Sequence, residues 1–112
     1  MTRTLDIERK RGDTRRIPFQ VLDSEGSVED ITGWTDFTFT VTYISAPVSN
    51  TSKVFQVAGV VDVASEGTFY VVPPGTSEAG NYYYDVQAID SNSEKTTPYE
   101  GTYVLTQDRT KT

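Results

Sequence analysis

Apolar side chains recur at every second position along most of this chain, and that period admits strands and little else. Between Thr35 and Ser45, Phe37, Phe39, Val41 and Tyr43 share one phase, while Thr38, Thr40 and Thr42 take the other. Between Gly80 and Ile89, Tyr82, Tyr84, Val86 and Ala88 alternate with Tyr83, Asp85 and Gln87. β-Branched threonines on the outward phase suit a sheet with one face on a core and one in water. Helical periodicity is nearly absent, so the chain reads as all-β.

Weaker runs extend the pattern. Thr4 to Arg9 carries Leu5 and Ile7; Arg15 to Leu22 carries Ile17, Phe19 and Val21, with Pro18 placing that strand at an edge or a bulge. Lys53 to Val57, Val60 to Ala64, Gly67 to Val72 and Thr97 to Gln107 supply the rest, with a loop at Ala46 to Thr51. Turn chemistry separates them at Arg11-Gly12-Asp13, Asp23 to Gly26, Pro73-Pro74-Gly75 and Asp90 to Lys95. About seven to eight antiparallel strands at roughly ten-residue intervals predict an immunoglobulin-like β-sandwich. The chain has 112 residues, so one domain spanning 1–112 is expected, with 1–3 and 108–112 frayed. The inward phase predicts a core of Phe19, Val21, Phe37, Phe39, Val41, Tyr82, Tyr84 and Val86. Tyr82 fits a tyrosine corner, and Tyr84 would fill with aromatic volume the place a disulfide cysteine takes in such domains.

The residue inventory bears on chemistry. The chain has no cysteine and no histidine. Thiolate nucleophiles, thiolate metal sites and every Ser-His or Cys-His arrangement are therefore excluded. No enzyme, catalytic residue, cofactor or metal site is expected. Asp90-Ser91-Asn92-Ser93-Glu94 spaces oxygen ligands as a calcium loop would, but Lys95 stands where an EF-hand needs glycine and Gly101 where it needs glutamate, so a polar β-turn is expected. Asp85, the nearest candidate for a perturbed carboxylate, is expected to face outward beside a Lys, Arg or Thr. Arg11-Gly12-Asp13 spells an adhesive tripeptide that is also ordinary turn chemistry. No apolar targeting region or membrane-length segment is visible, which points to the cytoplasm.

Charge is distributed unevenly. Residues 1–16 hold six basic and three acidic side chains, for +3, against −9 on the remainder. The overall acidity works against nucleic acid as a partner. Arg9, Lys10, Arg11, Arg15 and Arg16 form either a solvated basic hairpin or a contact with an acidic surface, on another protein or another copy of this chain. Trp34 is expected in packing; its alternative is a sugar platform shared with aromatics such as Tyr83 and Tyr99, which would make the chain a carbohydrate-binding module.

Lys10 to Thr14, Ile17-Pro18-Phe19, Asp23 to Gly26, Asp30-Ile31-Thr32-Gly33, Gly80 to Val86, Thr96-Thr97, Gly101 and Asp108-Arg109-Thr110 together form a pattern that resembles an immunoglobulin-like domain of tailed-bacteriophage virion proteins. The nearest likeness is the amino-terminal domain of upper baseplate proteins of long-tailed phages. It spans about residues 10–110, where turn and corner residues carry it. In that family the domain heads a longer chain. The resemblance implies a non-enzymatic structural or interaction protein of the particle, in head decoration, neck, tail or baseplate. Its partners would be other virion proteins and itself, its location the virion assembled in the host cytoplasm. Within that pattern Ile31 is expected to drop into the core and Gly101 to permit a bulge in the last strand.

Overall fold

The computed structural model describes residues 3–10, 15–43, 53–74 and 79–106. Among them nine strands form two packed sheets: β1 (Arg3–Thr4), β2 (Ile7–Lys10), β3 (Ile17–Gln20), β4 (Thr35–Tyr43), β5 (Lys53–Ala58), β6 (Val60–Val63), β7 (Thr68–Val71), β8 (Gly80–Ile89) and β9 (Lys95–Thr106). The larger sheet runs β1-β9-β8-β4-β5, with β2 also on β9; the smaller runs β3-β7-β6. The molecule is an immunoglobulin-like β-sandwich. Among the described residues no helix is long and apolar enough to cross a membrane. The Arg11-Gly12-Asp13 turn, the 46–51 loop, Gly75 and the 108–112 tail lie outside the described residues.

The inward phase is occupied as the alternation predicts. Phe19, Val21, Phe37, Phe39, Val41, Tyr82, Tyr84 and Val86 are all buried, and Ile31 joins them at 1% exposure. Rings fill the gap between sheets. Phe19 stacks on Phe69 at 5.1 Å within the small sheet, and Phe39 meets Tyr84 at 5.2 Å and Tyr103 edge-on at 5.8 Å within the large one. Such contacts add to the burial term.

Strand pairing departs from expectation in three places. First, the single N-terminal strand expected over Thr4 to Arg9 is two short ones, both parallel to β9, so not all pairings are antiparallel. The interruption at Leu5 and Asp6 turns Leu5 outward, to 40% exposure. Second, the bulge expected at Gly101 lies at Thr97 and Pro98, between the pairs Val86↔Tyr99 and Ala88↔Thr96. Gly101 serves a different purpose: a β-carbon there would overlap the Leu5 carbonyl oxygen, so the absent side chain lets β1 and β2 dock. Third, β2 and β3 belong to different sheets, so the basic stretch Arg9 to Arg16 is a crossing between sheets and not a hairpin. At the other side β5 and β6 cross in the same manner through Gly59, whose N–H donates to the Phe37 carbonyl at 2.7 Å.

Two turns are built alike. In each, an aspartate Oδ1 accepts N–H bonds from the residues two and four ahead: Asp23 from Glu25 and Ser27, Asp90 from Asn92 and Glu94, all at 2.9 Å. The fourth residue is left-handed in both, Gly26 at φ 86° and Ser93 at φ 64°.

Candidate functional site

Pairing divides the basic cluster. Arg9, Lys10 and Arg15 line an open hollow of about 440 Å³ together with Glu8 and Thr106. An Arg9 Nη2 donates to the Arg15 carbonyl, which ties the end of β2 to the approach to β3. Arg16 points elsewhere. Its guanidinium lies over the Tyr70 ring at 4.6 Å, on the outer face of the small sheet. Arg11 lies outside the described residues.

The three aromatics of the sugar alternative occupy three different surfaces. Trp34 is partly buried and stacks on Phe37 at 6.2 Å, as its packing reading expects. Tyr99 faces inward, 5.2 Å from Phe19, and its hydroxyl donates to the Gln20 carbonyl at 2.6 Å, bonding the large sheet to the small one. Tyr83 stands on the opposite face of the large sheet, 41% exposed. No common platform results.

Tyr84 fills the apolar place foreseen for it and also has a polar task. Its hydroxyl donates to the Leu5 carbonyl at 2.5 Å, fastening β1 and β2 from within. Burial, then the nearby Tyr99, Asp6 and Glu100, holds this phenol above the ordinary tyrosine range. Tyr82 is buried against Gly80, but the corner loop preceding β8 falls outside the described residues.

On the outer face of the large sheet Asp85 sits across from Thr40 on β4 and Glu100 on β9. The threonine was foreseen; the acid was not. Burial first, and Glu100 second, raise the Asp85 carboxyl above its usual value. With Thr42, Tyr83 and Gly101 these residues line a hollow of about 350 Å³. The Asp90 carboxylate spends one oxygen on its own turn, which is the β-turn form. Among the described residues no three or more Asp or Glu side chains gather as a metal site.

The least ordinary surface was not foreseen as one. Val60, Val61 and Val63 are 48%, 37% and 40% exposed, and Val72 is 49% exposed. Val60 and Pro18 lie opposite Tyr70 on either side of β7, and Val63 and Gln20 lie opposite Thr68, so these six side chains share the outer face of the small sheet. That face holds an open hollow of about 530 Å³, lined by Arg16 at the β3 rim and Asp62 at the β6 rim. Its sequence signal was the run Val60-Val61-Asp62-Val63. Valine stands on both phases there, which alternation alone reads as an ordinary short strand. Contiguous apolar residues at a sheet edge mark contact surfaces in soluble proteins.

No protein-family model matches the chain, and no curated protein matches it. Among solved structures the chain is similar to CopC from Methylosinus trichosporium OB3b, at 5% identity and a TM-score of 0.53, covering 96% of this chain and 91% of that one. This likeness concerns the β-sandwich fold alone. A second similarity, at 13% identity and a TM-score of 0.38, is to a 2,6-sialyltransferase of Photobacterium sp. JT-ISH-224, of which 18% is covered against 93% of this chain.

Proposed function

We propose that this chain is a non-enzymatic interaction module of a tailed-bacteriophage particle, working through protein–protein contacts. The observation that carries the contact role is the difference between the two outer faces. The large sheet presents Thr38, Thr40, Gln87 and Asp85 with one exposed aromatic, Tyr83, whereas the small sheet presents Val60, Val63, Tyr70 and Pro18 beside Gln20 and Thr68. An outer face of that composition is stable in water yet gains from being covered, at about 25 cal/mol per Å² of apolar surface removed from solvent. The turn and corner residues that resemble phage baseplate domains support the setting. Among the described residues no arrangement of side chains favours the carbohydrate alternative.

The test is mass spectrometry of purified phage particles produced from the genome that encodes the chain. The reading expects its peptides in the particle at a copy number that follows a symmetric assembly. Their absence from particles, with the chain present in the host lysate, would overturn it.

A further inference from the structure

We infer that the open edge of β5 is a two-fold self-pairing surface, on which β5 of a second copy adds antiparallel with Gln56 opposite Gln56, so that two large sheets continue into one. This edge is a different surface from the valine-bearing face, and the inference stands independently of the virion setting.

The sheet edges are not alike. β3 carries Pro18, β6 is interrupted at Asp62, and the far edge of the large sheet is broken into β1 and β2, with Arg9 and Lys10 on the latter. Prolines, charges and irregularities of that kind blunt an edge against pairing. β5 lacks them: its one irregularity falls at its start, beside Val41 and Thr42 of β4, and Val54 to Ala58 holds no charged residue and no proline. Among the described residues no strand lies beyond it. The phase of its backbone is fixed by Gly59, whose N–H donates to the Phe37 carbonyl. Phe55 and Val57 share that phase and turn their N–H and C=O groups to β4, which leaves those of Gln56 and Ala58 pointing to the open edge. Val54 pairs with no residue of β4.

Two edges need a cover, and that selects a second copy. Phe69 of β7 meets Phe37 of β4 at 4.6 Å, and Phe19 of β3 meets Tyr99 of β9 at 5.2 Å, which sets β6 over β5. Phe55 and Val57 take the inward phase of the large sheet, opposite Val41 and Phe39, and Val61 takes that of the small one, opposite Phe69. Those three partners are at most 1% exposed, yet Phe55 and Val57 are only partly buried and Val61 is 37% exposed. The sandwich is unsealed along this side. A lone strand would cover β5 and leave β6. A second copy brings both, because a two-fold axis perpendicular to the joined sheet keeps the two small sheets on one side and turns their β6 edges toward each other. The register follows from the same residues. With Gln56 opposite Gln56, Val54 lies opposite Ala58 and every open residue of both copies exchanges main-chain bonds, while Phe55 of each copy meets Val57 of the other as a closely spaced apolar pair. Sliding by one residue sets inward side chains against outward ones, and sliding by two carries Val54 or Ala58 past the end of β5. The paired stretch is short, so the dimer is weak. It is also uncharged, and each chain carries −6, so screening by salt favours it.

Sedimentation equilibrium on the full chain tests this, from about 10 µM to 1 mM at low and high salt. The expected result is a monomer–dimer equilibrium that tightens as salt rises and stops at two chains. Gln56 is exposed, so Gln56→Lys and Gln56→Glu, each checked for an intact fold by its thermal midpoint, place like charges on the axis without disturbing the core. Each alone should weaken the dimer at least about tenfold. An equimolar mixture of the two variants should associate at least as tightly as the parent, because a lysine then faces a glutamate. A parent chain that stays monomeric throughout, a dimer that loosens as salt rises, growth beyond two chains, or a mixture no tighter than either variant alone each overturns the inference. Amide exchange read by NMR supplies an arm free of substitutions. The Gln56 and Ala58 amides should slow as concentration rises, while those of Phe55 and Val57, which bond to β4, are slow throughout. Gln56 and Ala58 amides already slow in the dilute monomer would mean that the chain covers its own edge, and would overturn the inference too. A monomeric chain still found in particles would remove the dimer and leave the structural role, while a dimer missing from particles would do the reverse.

Discussion

Replacing Gly101 by alanine should loosen the N-terminal strands and leave the rest of the sandwich in place. A β-carbon at that position would overlap the Leu5 carbonyl oxygen and stand 2.9 Å from its carbon, and neither atom belongs to a flexible side chain that could swing away. The backbone of Leu5 and Asp6 must therefore move. Three hydrogen bonds hold it where it is: Leu5 N–H to the Glu100 carbonyl at 3.0 Å, Tyr84 O–H to the Leu5 carbonyl at 2.5 Å, and Thr102 N–H to Asp6 Oδ1 at 3.2 Å. At about 1 kcal/mol net for each, their loss costs about 3 kcal/mol. Alanine returns about 0.5–1 kcal/mol because glycine loses more freedom in a strand, which leaves about 2–2.5 kcal/mol. For a domain of this length that corresponds to a fall of about 8–10 °C in the thermal midpoint.

Calorimetry reads the total, and hydrogen exchange shows where it falls. Amides of residues 5–10 and 102–106 should exchange faster, while those of Phe39 and Val41 keep their protection. Tyr84→Phe alone should cost about 1–2 kcal/mol by leaving the Leu5 carbonyl without its donor. In the Gly101→Ala background it should cost less than half of that, because the carbonyl has already moved, giving a coupling of about 1 kcal/mol. A midpoint within about 2 °C of the parent, or two substitutions whose costs simply add, would refute the docking role of Gly101.

Phe39→Ala, which removes a ring packed on Phe19, Phe55, Tyr84 and Tyr103, should cost about 3–5 kcal/mol in urea unfolding; a cost below about 1 kcal/mol would place Phe39 outside the core. Asp85 has its carboxyl raised in the fold, so the stability linked to its proton is present below the unfolded pKa and lost as pH rises through the folded one. Asp85→Asn should therefore stabilise at pH 7, by under about 1 kcal/mol since solvent screens a partly exposed group, and the gain should shrink as pH falls through the carboxylate range; a pH-independent effect would sink the assignment. Ser93→Gly should stabilise by about 0.5–1 kcal/mol and Gly26→Ala destabilise by about 1 kcal/mol, because both positions are left-handed; chemical denaturation showing no change in either would contradict the shared turn geometry. Val60→Thr with Val63→Thr should leave the unfolding free energy unchanged to within about 0.5 kcal/mol in urea; a large loss of stability would mean the valines serve the fold and not a contact.

Alternation made the core legible because every residue it assigned except Val21, which follows β3, lies on a strand with one face inward. Phe37, Phe39 and Val41 on β4 and Tyr82, Tyr84 and Val86 on β8 needed nothing beyond the two-residue period. The Asp23 turn was legible for a similar reason, since its hydrogen bonds are local. Choice of strand partner was not. Alternation says which side chains face inward but not which strand lies beside which, so the parallel docking of β1 and β2 on β9 left no mark in residues 3–10 alone. The turn chemistry around Gly12 likewise suggested a hairpin, although the flanking strands enter different sheets. As for the site, the valines of β6 were recognised as a strand, but their exposure depends on β6 being an edge, which is a property of the sheet order.

The two outer faces show how one period can produce surfaces with opposite prospects. On the large sheet the outward side chains complete one another: Gln56 Nε2 donates to Thr40 Oγ1 at 2.8 Å, bridging β5 and β4. Water is the natural neighbour of such a face. On the small sheet Gln20 Nε2 bonds to the Glu66 carbonyl at 3.1 Å and Arg16 covers part of Tyr70, yet Val60 and Val63 remain open. Threonine would supply the same branching and the same strand preference at those positions without the apolar surface. Folding therefore does not require valine there. What valine adds is surface that gains only when something covers it.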